Sequence, residues 1–401
     1  MADLRSMPTL LSRDAARERL IDEAIAEEAA KEEELEREMR QYMERMSLQA
    51  KKRRLERNLD AGDDEDDDED DEDDGVDEEV REEWERKKLQ VIEEDALHRK
   101  AARRILDYDP KQGGLYYTRI YCVNLHSFDL DEESPLPPMR YTDVVYKSPK
   151  DYELCEGVNI LSVKIGSLDV DFPIHVYGTV VARDSLDKKC VYLFCRDRQH
   201  SQTINSKDES LILTGPKRGL ALISSTFVEI NLIIKGDERQ EDRELSKGVL
   251  EIPGTEQRAL KGCELESLSL ATRLSTVDLM YGVVRDAVEA TISIEVLAGE
   301  FSGEITACTS SIKNTLVLHD SRLLAHVAGG EKFGPVIPLL RSVVAVHVKE
   351  KMLLTFAAFT EDGEIASHIK CVPKINGSSQ YEATVGSAVL RVNVVWSIID
   401  F

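Results

Sequence analysis

The sequence predicts a mainly β protein, with tandem antiparallel β-sandwich-like units preceded by a charged α-helical arm and a disordered acidic linker. Three observations carry that reading. Apolar and polar side chains alternate in short runs through residues 108–401. Glycine, proline and acidic turns separate those runs, and the helical crossovers that a parallel sheet requires are missing. Before Tyr108 the composition is of another kind: residues 1–107 hold 21 basic and 37 acidic side chains, two aromatics (Tyr42 and Trp84), one proline and no cysteine. A segment so poor in large apolar groups cannot offset its ordering entropy by burial, whereas a stretch of about 300 residues buries roughly three quarters of its unfolded surface.

Residues 1–59 read as a charged helix. Positions 14–58 are nearly all helix formers without glycine, and Ser12 is a candidate N-cap. Ile21, Ile25, Leu35, Met39, Tyr42 and Met46 follow steps of three and four, but Glu28 and Glu32 interrupt the stripe. Two readings stay open: a short coiled coil or partner-binding helix, and a solvated helix with charge pairs such as Glu33–Arg37 and Glu36–Arg40. Lys51, Lys52, Arg53 and Arg54 form a candidate nuclear-import signal; as a basic last helical turn they also complement the dipole. Residues 60–79, DAGDDEDDDEDDEDDGVDEE, carry 16 acidic side chains whose repulsion favours an extended, disordered polyacidic linker. That run is either a solvating linker or a surface for basic proteins such as histones or ribosomal proteins. Residues 80–107 read as a second helix, with Val80, Trp84, Val91 and Ala96 as a thin apolar face.

Strand chemistry then takes over, in FPIHVYGTVVA (172–182), Val228–Ile234, Val343–Lys349, Met352–Phe359 and AVLRVNVVWSII (388–399). The block from Gly178 to Ser185 is echoed 125 positions later from Gly303 to Ser310. Two readings stay open: two related units, about 115–260 and 270–401, or one larger sandwich in which the echo is chance similarity.

With 77 acidic against 52 basic residues and a formal charge of -25, the chain is not built to coat phosphate backbones, so no direct nucleic-acid partner is expected. No apolar run approaches the roughly 18–20 residues that cross a bilayer, and the N-terminus lacks the apolar core of a secretory signal. The expectation is a cytoplasmic or nuclear protein, neither secreted nor membrane-bound. No catalytic, cofactor-binding or metal-binding residue is predicted. The cysteines at 122, 155, 190, 195, 263, 308 and 371 form no Cys-x-x-Cys pair and read as free thiols, with Cys190 and Cys195 on opposite faces of one strand. Asp184, Asp187 and Asp197 could offer oxygen ligands to Ca²⁺, but Thr309 and Ile312 replace the first two in the second unit, and turn aspartates explain them better. Gly215-Pro216-Lys217-Arg218-Gly219 lacks the phosphate-loop pattern and reads as a hairpin turn.

Several blocks occur together in order: ILSVKIGSLDVDFPIHVYGTVVARDSLDKKCVYLF (160–194), INSKDESLILTGPKRGLALI (204–223), RELSKGVLEI (243–252), TRLSTVDLMYGVVRDAVEATISIEV (272–296) and VNVVWSIID (392–400). With the lead-in 108–143 they resemble the cereal and grass plant domain of unknown function that also follows the toxin domain in jasmonate-induced ribosome-inactivating proteins. The resemblance spans about 108–401. It implies an association with stress and defence in grasses and supplies no catalytic motif. The toxin's helical Glu-Ala-x-x-Arg pattern has no match, since Glu289-Ala290 runs on into Thr291-Ile292. An rRNA N-glycosylase is therefore not expected. The function expected is a non-enzymatic protein-interaction module with protein partners. The alternatives are an acidic chaperone-like binder of basic proteins and an enzyme of unrecognised type.

Overall fold

The computed structural model describes residues 17–23 and 97–400, apart from 238–240, 255–260, 324–334 and 361–362, together with single positions at 26, 30, 37, 45, 86 and 94. The chain divides into two compact units, residues 1–116 with 124–127, and residues 117–123 with 128–401.

In the first unit, residues 17–23 and 97–102 are helical. The second helical stretch passes into a 3-10 turn, Arg103–Ile105, and then into strand β1, Leu106–Asp109. The helix expected over 80–107 therefore stops short, because Leu106–Asp109 pairs instead with β2, Gly114–Tyr117. The turn between them is set locally: Asp109 accepts the Lys111 N–H at 2.9 Å, and Gly113 closes the turn in the left-handed region at φ 80°. The Arg17 guanidinium grips the buried carboxylate of Asp107, with Nε at 2.6 Å from Oδ1. The basic run Lys51–Arg54, the polyacidic stretch 60–79 and most of the proposed helical seam lie outside the described residues.

The second unit is a duplication. Its first repeat contains β3 (Gly157–Leu168), β4 (Ile174–Arg183), β5 (Val191–Arg196), β6 (Gln202–Ile204), β7 (Leu220–Ala221), β8 (Thr226–Ile234), β9 (Arg243–Ile252), β10 (Glu264–Thr272) and β11 (Ser275–Val284). The second contains β12 (Ala287–Ala298), β13 (Gly303–Thr309), β14 (Leu316–Asp320), β15 (Val343–His347), β16 (Met352–Thr360), β17 (Gly363–Cys371), β18 (Gly377–Val385) and β19 (Ala388–Ile398). The first repeat packs sheet β10-β11-β3-β7 against sheet β5-β4-β8-β9, with short β6 added to β4. The second packs β18-β19-β12-β15 against β14-β13-β16-β17. Apart from β6 the strand orders are identical, and every pairing within these sheets is antiparallel.

The correspondence extends to single hydrogen bonds. Leu211 N–H donates to Val163 O at 2.8 Å in the first repeat, and Ile337 N–H to Ile294 O at 2.9 Å in the second. Thr214 N–H to Leu193 O at 2.9 Å has its twin in Leu340 N–H to Leu318 O at 2.7 Å. The expected boundary near 260–270 moves: residues 264–284 pair onto β3 and complete the first sandwich, so the repeats meet between Val284 and Ala287. The reason is register. The alternating face of β11 (Val277, Leu279, Tyr281, Val283) closes the core begun by Val158, Ile160, Val163 and Ile165.

Each sandwich encloses its own core. Phe194, Leu220 and Tyr281 are sealed in the first, and Phe356, Leu390 and Trp396 in the second. Each Leu or Phe among them contributes about 1.5–3 kcal/mol by leaving water. A register shift between Met280 and Tyr281 leaves Leu161 as an extra residue in β3. That bulge turns Leu161 out of its own core and into the second one, where it joins Ala221 and Val284 of the first repeat in tying the two sandwiches together.

Candidate functional site: the cleft between the sandwiches

Most charged groups inside the second unit are already committed to holding it together. Arg218 (2% exposed) forks onto Asp184 (0%), with Nη1 to Oδ2 at 2.5 Å and Nη2 to Oδ1 at 3.0 Å. Asp184 Oδ2 also accepts the Ala221 N–H at 3.0 Å. Glu229 accepts from Arg183 Nη2 at 2.9 Å, Arg119 Nε at 3.0 Å and the Ile120 N–H at 3.0 Å. Glu289 receives the N–H groups of Met139 and Gly219 at 2.7 and 2.6 Å. These carboxylates fasten the segment before β3 to both sandwiches, as do Tyr141 N–H to Ser397 Oγ at 3.1 Å and Thr142 Oγ1 to Trp396 O at 3.1 Å.

Asp184 is thus both a turn aspartate, its Oδ1 accepting the Leu186 N–H at 3.3 Å, and a sealed ion-pair partner, and it is not an available ligand. The Gly215–Gly219 segment is the approach to β7, where Arg218 supplies the other half of that pair; it is not a hairpin. Asp187 accepts from Ser134 Oγ at 2.7 Å, and Asp197 lies apart beside His200. Among the described residues no group of three or more His, Cys, Asp or Glu is placed to hold a metal ion. All seven cysteines are free; Cys190 is buried and Cys195 exposed, and the bulge that leaves Leu193 as an extra residue between them breaks the alternation that would put them on opposite faces. Burial pushes the Cys155 and Cys371 thiols up to about 12 and that of Cys263 to about 11, which removes them as nucleophiles at neutral pH.

The feature left over is a cleft of about 1350 Å³ between the sandwiches. The first repeat contributes the outward side of β3 (Ser162, Lys164), the end of β5 with its turn (Cys195–Ser201), and the loop around Gln202–Thr214. The second contributes Asn314, Thr315, Val317, Leu340 and Arg341. The loop wall is fixed by Gln202, which donates to Ser210 O at 3.0 Å and accepts the Ile212 N–H at 2.9 Å.

Arg341 crosses from one repeat to the other. Its Nη1 donates to Ile160 O of β3 at 2.7 Å and its Nε to Val317 O of β14 at 3.3 Å. It is 5% exposed, and burial pulls its pKa down to about 10. No carboxylate pairs with it among the described residues. The matching hydrogen bonds place Arg341 where the first repeat has Gly215, whose backbone lies so close to Tyr192 O that a Cβ would stand 1.8 Å from it. The guanidinium is therefore an addition of the second repeat, aimed across the interface. Arg196, on the opposite wall, has its pKa lowered by burial; its Nη1 donates to His200 O at 3.2 Å and its guanidinium lies over Phe194 at 5.8 Å. The two acids of the cleft are engaged locally. Asp197 is held by His200 Nδ1 at 2.8 Å, which keeps its carboxyl below the usual range, and Glu209 accepts from Asn205 N–H at 3.0 Å.

The sequence reading missed Arg341 and the cleft. The available signal was a lone arginine inside the apolar run Val336-Ile337-Pro338-Leu339-Leu340-Arg341-Ser342-Val343-Val344. An unpaired charge is expensive in such a setting and calls for a reason.

The arrangement defines a class: a tandem antiparallel β-sandwich protein whose repeats share a polar cleft. Residues 157–394 match the family described as Domain of unknown function (DUF6598), and the chain belongs to that family. The match begins at β3 and takes in all but the end of β19, so it coincides with the two sandwiches and omits the lead-in from Tyr108. No curated protein matches the chain. Among solved structures, the C2A and C2B domains of Extended-Synaptotagmin 2 align over 64% of this chain and 96% of theirs, at 7% identity and TM-score 0.21. Human GIVD cytosolic phospholipase A2 aligns over 61% of this chain and 30% of its own, at 8% identity and TM-score 0.21.

Proposed function

We propose that the chain is a non-enzymatic binding module, acting in the cytoplasm or nucleus, in which two rigid sandwiches present the cleft between them to a protein partner. The observation that carries this reading is the division of labour among charged groups. Buried carboxylates and guanidinia are tied up in holding the fold, while the cleft walls carry hydrogen-bonding side chains from both repeats without an assembled nucleophile and base among the described residues. Cys195 lines the cleft and is exposed, which gives a direct test. A photo-crosslinker attached at Cys195 in the Cys122→Ser full-length chain should yield a discrete protein adduct that unlabelled chain competes away. An adduct pattern indifferent to competitor would remove the cleft from the reading.

A second reading rests on the run 60–79, with 16 acidic residues of 20, as a binder of basic proteins. It predicts salt-sensitive capture of histones that disappears after Asp/Glu→Asn/Gln replacement across that run. The association with grass stress and defence implied by the sequence resemblance belongs to either reading.

A further inference from the structure

We propose that the cleft between the sandwiches is an anion site that takes a small phosphate-bearing molecule, with Arg341 as the anchor on its floor and Arg196 and Lys164 on its walls. The inference deepens the binding-module reading and rests on it for the location of the site.

A guanidinium carries five N–H groups in a planar fork and stays protonated in proteins. Two nitrogens of Arg341 bond to neutral carbonyls, Ile160 O and Val317 O. Nη2 takes part in neither bond, and no acceptor for it occurs among the described residues. Neutral carbonyls satisfy donors but leave the charge uncompensated. The contrast inside the same chain is direct: Arg218 is equally buried and sits on the Asp184 carboxylate, and Arg183 sits on Glu229. Arg341 alone of these three lines an open cleft, so an anion can reach it from solvent.

The surroundings fit an oxyanion with a polar body. Lys164 lies on the outward side of β3, in the strand that supplies the Ile160 carbonyl to Arg341, and Arg196 carries no carboxylate contact among the described residues. The cleft acids do not neutralise these cations, because Asp197 and Glu209 are bonded to His200 and Asn205. The cluster is therefore locally cationic in a chain of formal charge -25. Around it stand hydroxyls and amides suited to the remainder of a ligand: Ser162, Thr203, Asn205, Asn314 and Thr315. A planar fork backed by a lysine point charge matches a tetrahedral phosphate better than a single carboxylate.

The test is calorimetric titration of the full-length chain with inorganic phosphate, glycerol 2-phosphate and succinate, against chloride at equal ionic strength. Saturable phosphate binding is expected, with succinate at least tenfold weaker; tighter binding of the ester than of free phosphate identifies an ester as the ligand type. Arg341→Met should abolish binding. Because Arg341 also bridges the repeats, Arg196→Ala and Lys164→Ala supply the independent arm, each expected to weaken binding about tenfold while leaving the Ile160 and Val317 bonds intact. Absence of saturable phosphate binding to the wild-type chain overturns the proposal, as does binding undiminished in all three variants. A competed crosslink at Cys195 without phosphate binding would retire the anion site alone and leave the protein-binding reading in place.

Discussion

Replacing Asp184 by Ala would strand the Arg218 guanidinium where only 2% of it meets solvent. Both charge-assisted bonds, at 2.5 and 3.0 Å, would be lost together with the acceptor for Ala221 N–H. Breaking one side of a buried pair typically costs about 3–5 kcal/mol, because the surviving charge remains desolvated. With a urea slope of about 3 kcal/mol/M for a unit of this size, the midpoint should fall by roughly 1–2 M. Arg218 also donates to Gly219 O at 3.0 Å and Ser134 Oγ at 3.1 Å and keeps a longer ion pair with Asp187 at 3.4 Å, so part of its charge and some of its donors stay partnered and the lower end of that range is expected. The assay is equilibrium urea unfolding of the full-length chain followed by far-ultraviolet circular dichroism. The decisive comparison is the double variant Asp184→Ala with Arg218→Met, which removes the orphaned charge and should recover at least half of the loss. A single variant whose midpoint lies within about 0.3 M of wild type would refute the reasoning, as would a double variant less stable than the single one.

Three other outcomes follow from the geometry. A thiol reagent should label Cys122 and Cys195 rapidly in the native chain and the other five only after unfolding, since those two are the exposed ones; fast labelling of Cys371 would contradict its burial. His319 is depressed below 6.5 by burial, with Nδ1 bonded to Pro338 O at 2.8 Å. The unfolded chain then takes up the proton first, so stability should decline as pH falls through 6.5 toward the folded value, and His319→Gln should flatten that decline in pH-dependent melting curves. Gly303→Ala would put a methyl group 2.0 Å from Ala357 O between paired strands, a clash of about 1–3 kcal/mol measurable as a lowered melting temperature; Gly178→Ala, 2.1 Å from Asn231 O, should behave alike.

The last pair shows why the duplication was legible. Gly178 and Gly303 stand 125 positions apart because each lies against a carbonyl of the neighbouring strand (β8 or β16) that leaves no room for a Cβ. A steric demand of that kind leaves a residue type in the sequence, and so does the inward alternation of β11 and β19. The β10–β11 hairpin was harder to place, because alternation says that a strand has a buried face without saying which sheet receives it. Arg218 and Asp184 are 34 positions apart and become partners only through tertiary packing, so residue spacing gave no hint of the pair. The cleft was illegible for the same reason: Lys164, Arg196 and Arg341 come from three separate stretches and from both repeats. Leu161 looked like one more apolar residue of β3; only the bulge opposite Met280 and Tyr281 sends it to the other core.

The strand orders carry a consequence for biosynthesis. In each repeat the final strand, β11 or β19, is not an edge but sits between the first strand and its own hairpin partner. A nascent chain that has made only β12 to β18 still has β12 and β18 facing an unfilled gap. Neither sandwich can close progressively during translation, and each must wait for its last ten or so residues, with Trp396 arriving among them, before the sheet becomes continuous.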